Sequence, residues 1–162
     1  MLMDQLEVGD CFADIVGPLG KPTHMDGLKS VCVVGGGTGN ALAYPLASGM
    51  HAHGVRTTMI EGFKNKDLVI LEDEFRENVD ELYVVTDDGS YGEKMFTTQK
   101  LEELIQKGEK FDEIVAVGPP IMMKLVCQIA EKYNIPSVAS LTAYMIDGTG
   151  MCGGCRCKIG GE

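Results

Sequence analysis

Two cysteines and an aspartate near the C-terminal end have a spacing typical of metal ligands. Cys152 and Cys155 are separated by two residues, and Asp147 comes five residues before Cys152. This pattern reproduces the C-x4-C-x2-C spacing of plant-type 2Fe-2S sites, with aspartate in the first ligand position. Four glycines lie among them, and these would let the loop wrap tightly round a cluster. The sequence therefore predicts that Asp147, Cys152 and Cys155 are ligands of a 2Fe-2S cluster.

Two other uses of these cysteines stay open. A structural zinc site needs four Cys or His ligands, and neither His51 nor His53 is near this segment in the sequence. Dithiol redox chemistry would need a reversible disulfide between Cys152 and Cys155. The iron-sulfur interpretation accounts for the aspartate as well as the thiols.

A run of glycines could bind the phosphates of a dinucleotide. The segment GGGTGN at 35–40 follows the apolar run VCVV and precedes an amphipathic stretch. Backbone amides at a helix N-terminus hold a pyrophosphate, and a branched side chain at Gly36 would fill the space that it needs. The spacing is not G-x-G-x-x-G, so a tight turn without a ligand is the alternative. The predicted contacts are Gly35, Gly36, Gly37, Thr38, Gly39 and Asn40.

Two further turns follow predicted strands. In TDDGSYG at 86–92, Asp87, Asp88 and Ser90 could hydrogen-bond to ribose hydroxyls, although D-D-G-S is also an ordinary surface turn. The segment VGPP at 117–120 ends another strand, and its prolines would fix the start of a helix. Because carboxyl ends of parallel strands meet at one edge of a sheet, all three turns are expected at the same edge.

Short β-branched runs alternate with longer segments that can be helical, which is the pattern of βαβ units. Runs that are apolar on both faces predict strands covered by helices on both sides. The predicted fold is an α/β, five-stranded parallel doubly wound (Rossmann-like) sheet. Its strands are expected at 31–34, 55–60, 82–86, 113–118 and 137–140. Helices are expected at 40–53, 98–107 and 120–133, and a solvated helix face at 72–81.

Length, composition and charge exclude several functions. The 162 residues suit one domain, and no apolar run reaches the roughly 18 residues that a membrane span needs. The net charge of −10 would repel nucleic acid. The first ten residues carry acids instead of the basic start of a secretory signal, so a cytoplasmic location is expected.

Several segments together resemble a known family. These are GPLGKP, VCVVGGGTGNA, VTDDGSYGEKMF, VGPPIMMK and SLTAYMIDGTGMCGGCRC. The chain resembles the ferredoxin-NADP reductase superfamily over nearly its whole length. Within that superfamily it is similar to the electron-transfer subunit group. This group includes dihydroorotate dehydrogenase electron-transfer subunits, small subunits of sulfide dehydrogenase or NADH-dependent ferredoxin:NADP oxidoreductase, and gamma subunits of soluble archaeal hydrogenases.

The resemblance implies a domain organisation. Residues 1–26, with a short β segment at 11–16, would be the end of a flavin-binding β-barrel and a linker. Residues 27–140 would be the NAD(P)-binding domain. Residues 141–162 would be part of an iron-sulfur-binding segment whose fourth ligand lies beyond residue 162, and Cys157 does not fit the spacing of that ligand. The chain would then be the C-terminal part of a longer protein and inactive alone.

The resemblance also implies a mechanism. NAD(P)H would exchange a hydride with an FAD held mainly outside this chain, and electrons would pass through the 2Fe-2S cluster to a larger catalytic partner subunit. No side chain need act as an acid or base. Residues 35–40 would bind the pyrophosphate. The ribose side would contact Asp87, Asp88, Gly89 and Ser90, and the nicotinamide pocket would be lined by Gly118, Pro119 and Met122.

Two positions depart from the family pattern. Val117 stands where the superfamily often has a cysteine, and Asp147 replaces the first cluster cysteine of the dihydroorotate dehydrogenase relatives, as on the sulfide dehydrogenase side of the family. The nucleotide preference stays open, with NADH favoured: Glu61 would repel a 2′-phosphate if it faced the ribose, but Lys64 and Lys66 could pair with one. A non-catalytic nucleotide-binding regulatory module is the alternative function.

Overall fold

The computed structural model describes residues 5–141 and 144–158, which belong to two compact units. One unit combines Met1–Pro22 with Ala143–Glu162, and the other is Thr23–Thr142. Every strand and α-helix among the described residues lies in the second unit. This second unit therefore contains the elements that position the predicted nucleotide site.

The second unit is built on one parallel sheet with the strand order β4-β3-β2-β1-β5-β6. The strands are β1 (Ser30–Gly36), β2 (Arg56–Phe63), β3 (Glu81–Thr86), β4 (Glu93–Lys94), β5 (Glu113–Val117) and β6 (Ser137–Ser140). Five of them correspond to the predicted strands, and the parallel doubly wound sheet is confirmed. The predicted number was one too low, because the two-residue β4 has no apolar pattern that could reveal it.

Helices cover both faces of the sheet. They are α1 (Gly39–Ala52), α2 (Glu72–Asn78), α3 (Thr97–Gln106) and α4 (Pro120–Lys132). Helices α1 and α2 pack on one face with Val31, Val33 and Met59, whereas α3 and α4 pack on the other with Cys32 and Val34. The alternation along β1 follows from the two-residue period of a strand, and residues 31–34 are fully buried because both faces are covered.

The crossovers place a ligand crevice at the carboxyl end of β1. The chain moves from β1 through α1 to β2 on one side, and through α3 it returns to β5 on the other side of β1. This reversal of direction is the topological switch point at which open α/β sheets bind ligands. The turns after β1 and β5 therefore meet there.

The predicted β segment at 11–16 is wrong, since these residues form no strand. A strand needs a hydrogen-bonded neighbour, and no described residue of the first unit supplies one. The apolar side chains of the segment, Phe12, Ile15 and Val16, are largely exposed. Among the described residues no helix is long and apolar enough to cross a membrane.

Candidate nucleotide-binding site

A cavity of about 530 Å³ opens at the carboxyl end of the sheet. The turn after β1 contributes Gly36, Gly37 and Thr38 to its wall, and the start of α4 contributes Pro119 and Met122. These five residues are among the predicted nucleotide contacts, and the fold brings them together at the switch point. The cavity is therefore the candidate functional site.

The glycine turn offers an open approach to the backbone. Gly37 has a φ of +57°, and no atom lies within 4 Å of the position that its Cβ would take. Its N–H donates to Gly62 O at 2.8 Å, which fixes the turn to the end of β2. Helix α1 begins two residues later with no acid in its first turn, and the Thr38 side chain makes no capping bond. The positive end of the helix dipole is thus free to attract a phosphate.

The other residues of the glycine segment lie beneath the cavity instead of lining it. Asn40 is fully buried, and its Nδ2 donates to Gly37 O at 3.0 Å. Its Oδ1 occupies the place where a Cβ at Gly35 would stand, and a Cβ at Gly39 would come within 2.5 Å of Val117 O. The structure shows Gly35, Gly39 and Asn40 packing the turn against its neighbours, and their contact with a ligand stays a prediction.

The space beside Gly36 belongs to α4. A Cβ at Gly36 would lie 2.6 Å from Met122 Sδ and 3.0 Å from Pro119 Cδ. A side chain at Gly36 would therefore meet Met122 and Pro119, and the expectation that it fills the pyrophosphate space stays a prediction. Gly118, with a φ of +154°, lies directly against the Gly36 backbone and does not line the cavity. The small residues at both strand ends let β1 and β5 approach closely.

Of the predicted ribose contacts, only Asp87 lines the cavity. The Ser90 hydroxyl donates to Asp88 Oδ1 at 2.6 Å and accepts from the Lys66 N–H at 2.8 Å. The bonds that the Ser90 hydroxyl and the Ser90 N–H donate to Asp88 Oδ1 lower the pKa of Asp88. Gly89 packs against the Lys94 side chain. Asp88, Gly89 and Ser90 therefore brace the connection that follows β2 and lie outside the cavity wall.

The sequence prediction missed the walls on the far side of the cavity. The connection after β2 contributes Lys64, Asp67, Leu68 and Ile70, while Phe96 lies before α3. Leu68 is 50% exposed and Phe96 58% exposed. The sequence feature that could have indicated these residues is the presence of apolar side chains next to charged ones, as in KNKDLVI. These side chains give the cavity flat apolar surfaces suited to a heterocyclic ring.

Glu61 does not line the cavity. Its side chain is fully buried, and burial, with a further contribution from Glu72, raises its pKa to about 8. Within residues 5–141 and 144–158, neither carboxylate oxygen has a hydrogen-bond partner. The condition under which Glu61 would repel a 2′-phosphate, that it faces the ribose, is not met.

The predicted iron-sulfur ligands occupy a loop of the first unit. The Asp147 carboxylate accepts hydrogen bonds from the amides of Thr149 at 3.0 Å, Gly150 at 3.3 Å and Cys152 at 2.8 Å. These bonds, led by that of Cys152, lower the pKa of Asp147. The Gly154 N–H donates to Cys152 Sγ at 3.4 Å.

Across residues 5–141 and 144–158, no three His, Cys, Asp or Glu side chains are close enough to hold one metal ion. Asp147 is engaged by the loop amides, and it does not converge with Cys152 and Cys155 on one point. This conformation does not fit a 2Fe-2S cluster, so no electron-transfer step is assigned to these residues. Their role as ligands stays a prediction.

Comparison with known proteins identifies relatives over most of the chain. An uncharacterized protein in the adh 3′ region of Clostridium beijerinckii is 44% identical over 162 residues, covering 95% of this chain and 55% of that protein. A dihydroorotate dehydrogenase B (NAD(+)) electron transfer subunit homolog of Thermotoga maritima is 42% identical, covering 95% of this chain and 54% of its own length. No protein-family model matches.

A solved structure shares the fold. A chain of the NADH-dependent reduced ferredoxin-NADP oxidoreductase, described in connection with flavin-based electron bifurcation, is 41% identical with a TM-score of 0.84. The match covers 99% of the present chain and 57% of that chain. The chain thus spans just over half the length of the relatives that it matches.

The doubly wound sheet, with its cavity at the switch point, is the fold of ferredoxin-NADP reductase-like nucleotide-binding domains, and the chain is similar to members of that superfamily. Its homologues there are electron-transfer subunits of flavin-dependent oxidoreductases.

Proposed function

We propose that the protein is the NAD(P)H-binding part of an oxidoreductase subunit that passes electrons from NAD(P)H, through FAD, to a larger catalytic partner subunit. The observation that carries the proposal is the cavity at the switch point, where an open glycine turn and the N-terminus of α1 meet apolar walls. A dinucleotide matches both features of the cavity. Its anionic pyrophosphate suits the glycine turn and the helix N-terminus, and the flat rings at its two ends suit the apolar walls.

Each part of a bound dinucleotide would contact a different part of the cavity wall. The pyrophosphate would lie at Gly37 and Thr38, where the backbone is open and the helix dipole is positive. The nicotinamide would lie against Pro119 and Met122 at the start of α4. The adenine would stack on Phe96, an exposed aromatic ring at the opposite wall.

The charged residues of the cavity favour NADH over NADPH. Asp67 and Asp87 line it, and Lys64 is the one cation that the described residues contribute to its wall. Two carboxylates beside one ammonium group give a net negative wall, which would repel the additional phosphate of NADPH. Lys66 does not line the cavity; its ammonium group lies 5.7 Å from the centre of the Tyr91 ring.

The chemistry requires orientation more than acid-base catalysis. When flavin is bound, it accepts the hydride of the nicotinamide, and no side chain needs to move a proton for that step. The residues of this chain bind the pyrophosphate and hold the nicotinamide ring. FAD and the partner are proposed for the complete protein. A 2Fe-2S cluster held by Asp147, Cys152 and Cys155 is proposed as well, but it would need a loop conformation different from the one described here.

Calorimetric titration with NADH tests the nucleotide site. We expect saturable binding, and Phe96→Ala should weaken it about 5- to 100-fold, the range expected for loss of one aromatic stacking partner. Phe12→Ala is the matched control, because Phe12 is similarly exposed but lies in the other unit. Absence of NADH binding, or equal binding by the Phe96→Ala variant, would overturn the assignment.

A second measurement separates electron transfer from the regulatory alternative. Anaerobic addition of NADH to the complete protein with its flavin should bleach the flavin absorbance. Binding of NADH without any change in flavin absorbance would favour a regulatory module, for which the cavity alone would suffice.

A further inference from the structure

Two buried polar side chains beneath the glycine turn have atoms without hydrogen-bond partners. Asn40 and Glu61 are both fully buried. Among the described residues, none forms a hydrogen bond with Asn40 Oδ1 or with either carboxylate oxygen of Glu61. Because an unpaired buried polar atom costs free energy, two such groups at one place call for a physical explanation.

The two groups are neighbours on the same face of the sheet. Glu61 stands opposite Gly35 in the β1–β2 register. Its side chain lies on the face of Met59, whose Cε is 2.9 Å from the place of a Cβ at Gly35. Asn40 Oδ1 occupies that same place. Since adjacent strands are about 4.8 Å apart, the Glu61 carboxyl group and Asn40 Oδ1 are within reach of each other.

The protonation state of Glu61 decides whether the two can pair. An ionised carboxylate and an amide oxygen are both acceptors, so they cannot form a hydrogen bond. A protonated carboxyl group carries an O–H donor that satisfies Asn40 Oδ1. Burial raises the pKa of Glu61 to about 8, which leaves the group largely protonated at neutral pH.

We propose that Glu61 is a positioning residue for the nucleotide loop: its protonated carboxyl group donates a hydrogen bond to Asn40 Oδ1 and thereby orients the Asn40 amide. The Nδ2 of that amide holds the Gly37 carbonyl at 3.0 Å, in the turn proposed to bind the pyrophosphate. This inference rests on the proposed nucleotide site. It makes nucleotide binding depend on one buried proton.

The charged groups that the structure describes around Glu61 do not offer an ionised carboxylate a free cation. From α2, Glu72, Glu74 and Arg76 act on it, and Arg76 is already paired with Glu72 at 2.5 Å.

In the described part of the chain, the remaining elements that pack against this face add no free cation. Helix α1 carries two titratable side chains: Tyr44, and His51, which is 3.1 Å from Asp80. The register neighbours of Glu61 on β1 and β3 are uncharged. Ionisation would therefore remove the donor to Asn40 and leave an uncompensated charge beneath the loop.

Titration of NADH binding against pH tests the proposal. Wild-type affinity should be constant from about pH 6 to about pH 7.5 and then fall by up to about tenfold per pH unit above about pH 8. Glu61→Gln keeps a donor that cannot ionise, so its affinity should match the wild type at neutral pH and stay constant above it. Glu61→Met removes the donor and should weaken binding at every pH.

Glu113→Gln is the matched control. Glu113 is a half-buried acid at the opposite end of the sheet, so this variant should keep the wild-type pH profile. Equal pH profiles for the wild type and the Glu61→Gln variant would overturn the proposal.

A measurement without nucleotide distinguishes the two hypotheses. The side-chain amide signals of Asn40 in the NMR spectrum should shift with a midpoint near pH 8 in the wild type and stay fixed in the Glu61→Gln variant. If that titration is seen but NADH does not bind, the proposed function fails and the coupling of Glu61 to Asn40 stands. If NADH binds and the Asn40 signals do not titrate, the coupling fails alone.

Discussion

Met122 and Gly36 fit together so closely that the Met122 Sδ atom lies 2.6 Å from the place where a Cβ at Gly36 would stand. Both residues line the cavity, one from the start of α4 and one from the end of β1. The shape of the nucleotide site therefore depends on a packing contact between two crossover units. This contact gives the glycine a structural role that its position in a phosphate-binding sequence does not reveal.

Gly36→Ala should destabilise the protein through overpacking. The added methyl group must displace Met122 or Pro119, and such changes typically cost about 1–3 kcal/mol. The Met122→Ala variant makes room for it, so the double variant should lose less stability than the sum of the two single variants. Chemical denaturation of all four proteins measures this coupling. Strictly additive losses would contradict the packing role of Gly36.

The sequence was sufficient to predict most of the fold but only part of the site. Strands such as β1 and β5 are strongly apolar, so their burial between helix layers follows from local pattern. β4 was missed because Glu93 and Lys94 pair with β3 only through tertiary contacts.

The site was harder to predict, because spacing does not show which way a residue faces. Asp87 and Asp88 are adjacent in the sequence, yet only Asp87 lines the cavity, since Asp88 is held by Ser90. Phe96 and Leu68 were missed because loops after different strands bring them to the cavity. Which loops lie next to each other is determined by the topology of the chain, and spacing in the sequence does not show it.

Thr38→Glu should affect stability and nucleotide affinity in opposite directions. A carboxylate at the start of α1 interacts favourably with the helix dipole and should add roughly 0.3–1 kcal/mol to the free energy of unfolding. The same charge would repel the pyrophosphate and should weaken NADH binding at least about tenfold. Thermal denaturation and calorimetry measure the two effects. Thr38→Ser is the control, and a Glu variant with wild-type affinity would place the phosphates elsewhere.

Asp87→Asn should reduce the preference for NADH over NADPH. Removing one carboxylate from the cavity wall leaves Lys64 opposite only Asp67, so NADPH affinity should rise several-fold while NADH affinity changes little. The gain should shrink in high salt, because salt screens the attraction between the lysine and the phosphate. Asp88→Asn makes the same charge change outside the cavity wall and should have the smaller effect. Equal effects of both variants on NADPH affinity would exclude a position of Asp87 next to the additional phosphate of NADPH.

Asp147→Ala should loosen the loop that contains the three clustered cysteines. The carboxylate accepts bonds from the amides of Thr149, Gly150 and Cys152, so these amides should exchange hydrogen faster in the variant. Since the pKa of Asp147 is lowered in the folded loop, the stabilisation is present above the ordinary carboxyl range and is lost as the pH falls through the lowered pKa. Unchanged exchange in the variant would show that these bonds do not hold the loop.

Glu61→Gln should change how stability depends on pH. The pKa of Glu61 is about 8 in the folded protein, against an ordinary value of 4.5. Between these values the folded state binds more protons than the unfolded state, so wild-type stability falls as the pH rises. The slope from this one group approaches about 1.4 kcal/mol per pH unit. Glutamine does not titrate, so the stability of the variant relative to wild type should increase from about pH 5 to about pH 8 and then level off.

Urea denaturation across this pH range measures the difference. Glu77→Gln, on the exposed face of α2, makes the same charge change without burial and serves as the control. Parallel pH profiles for the wild type and the Glu61→Gln variant would mean that Glu61 is ionised in the folded protein. In that case its carboxylate could not donate to Asn40. The proposal that a protonated Glu61 orients the glycine turn and supports nucleotide binding would then be wrong.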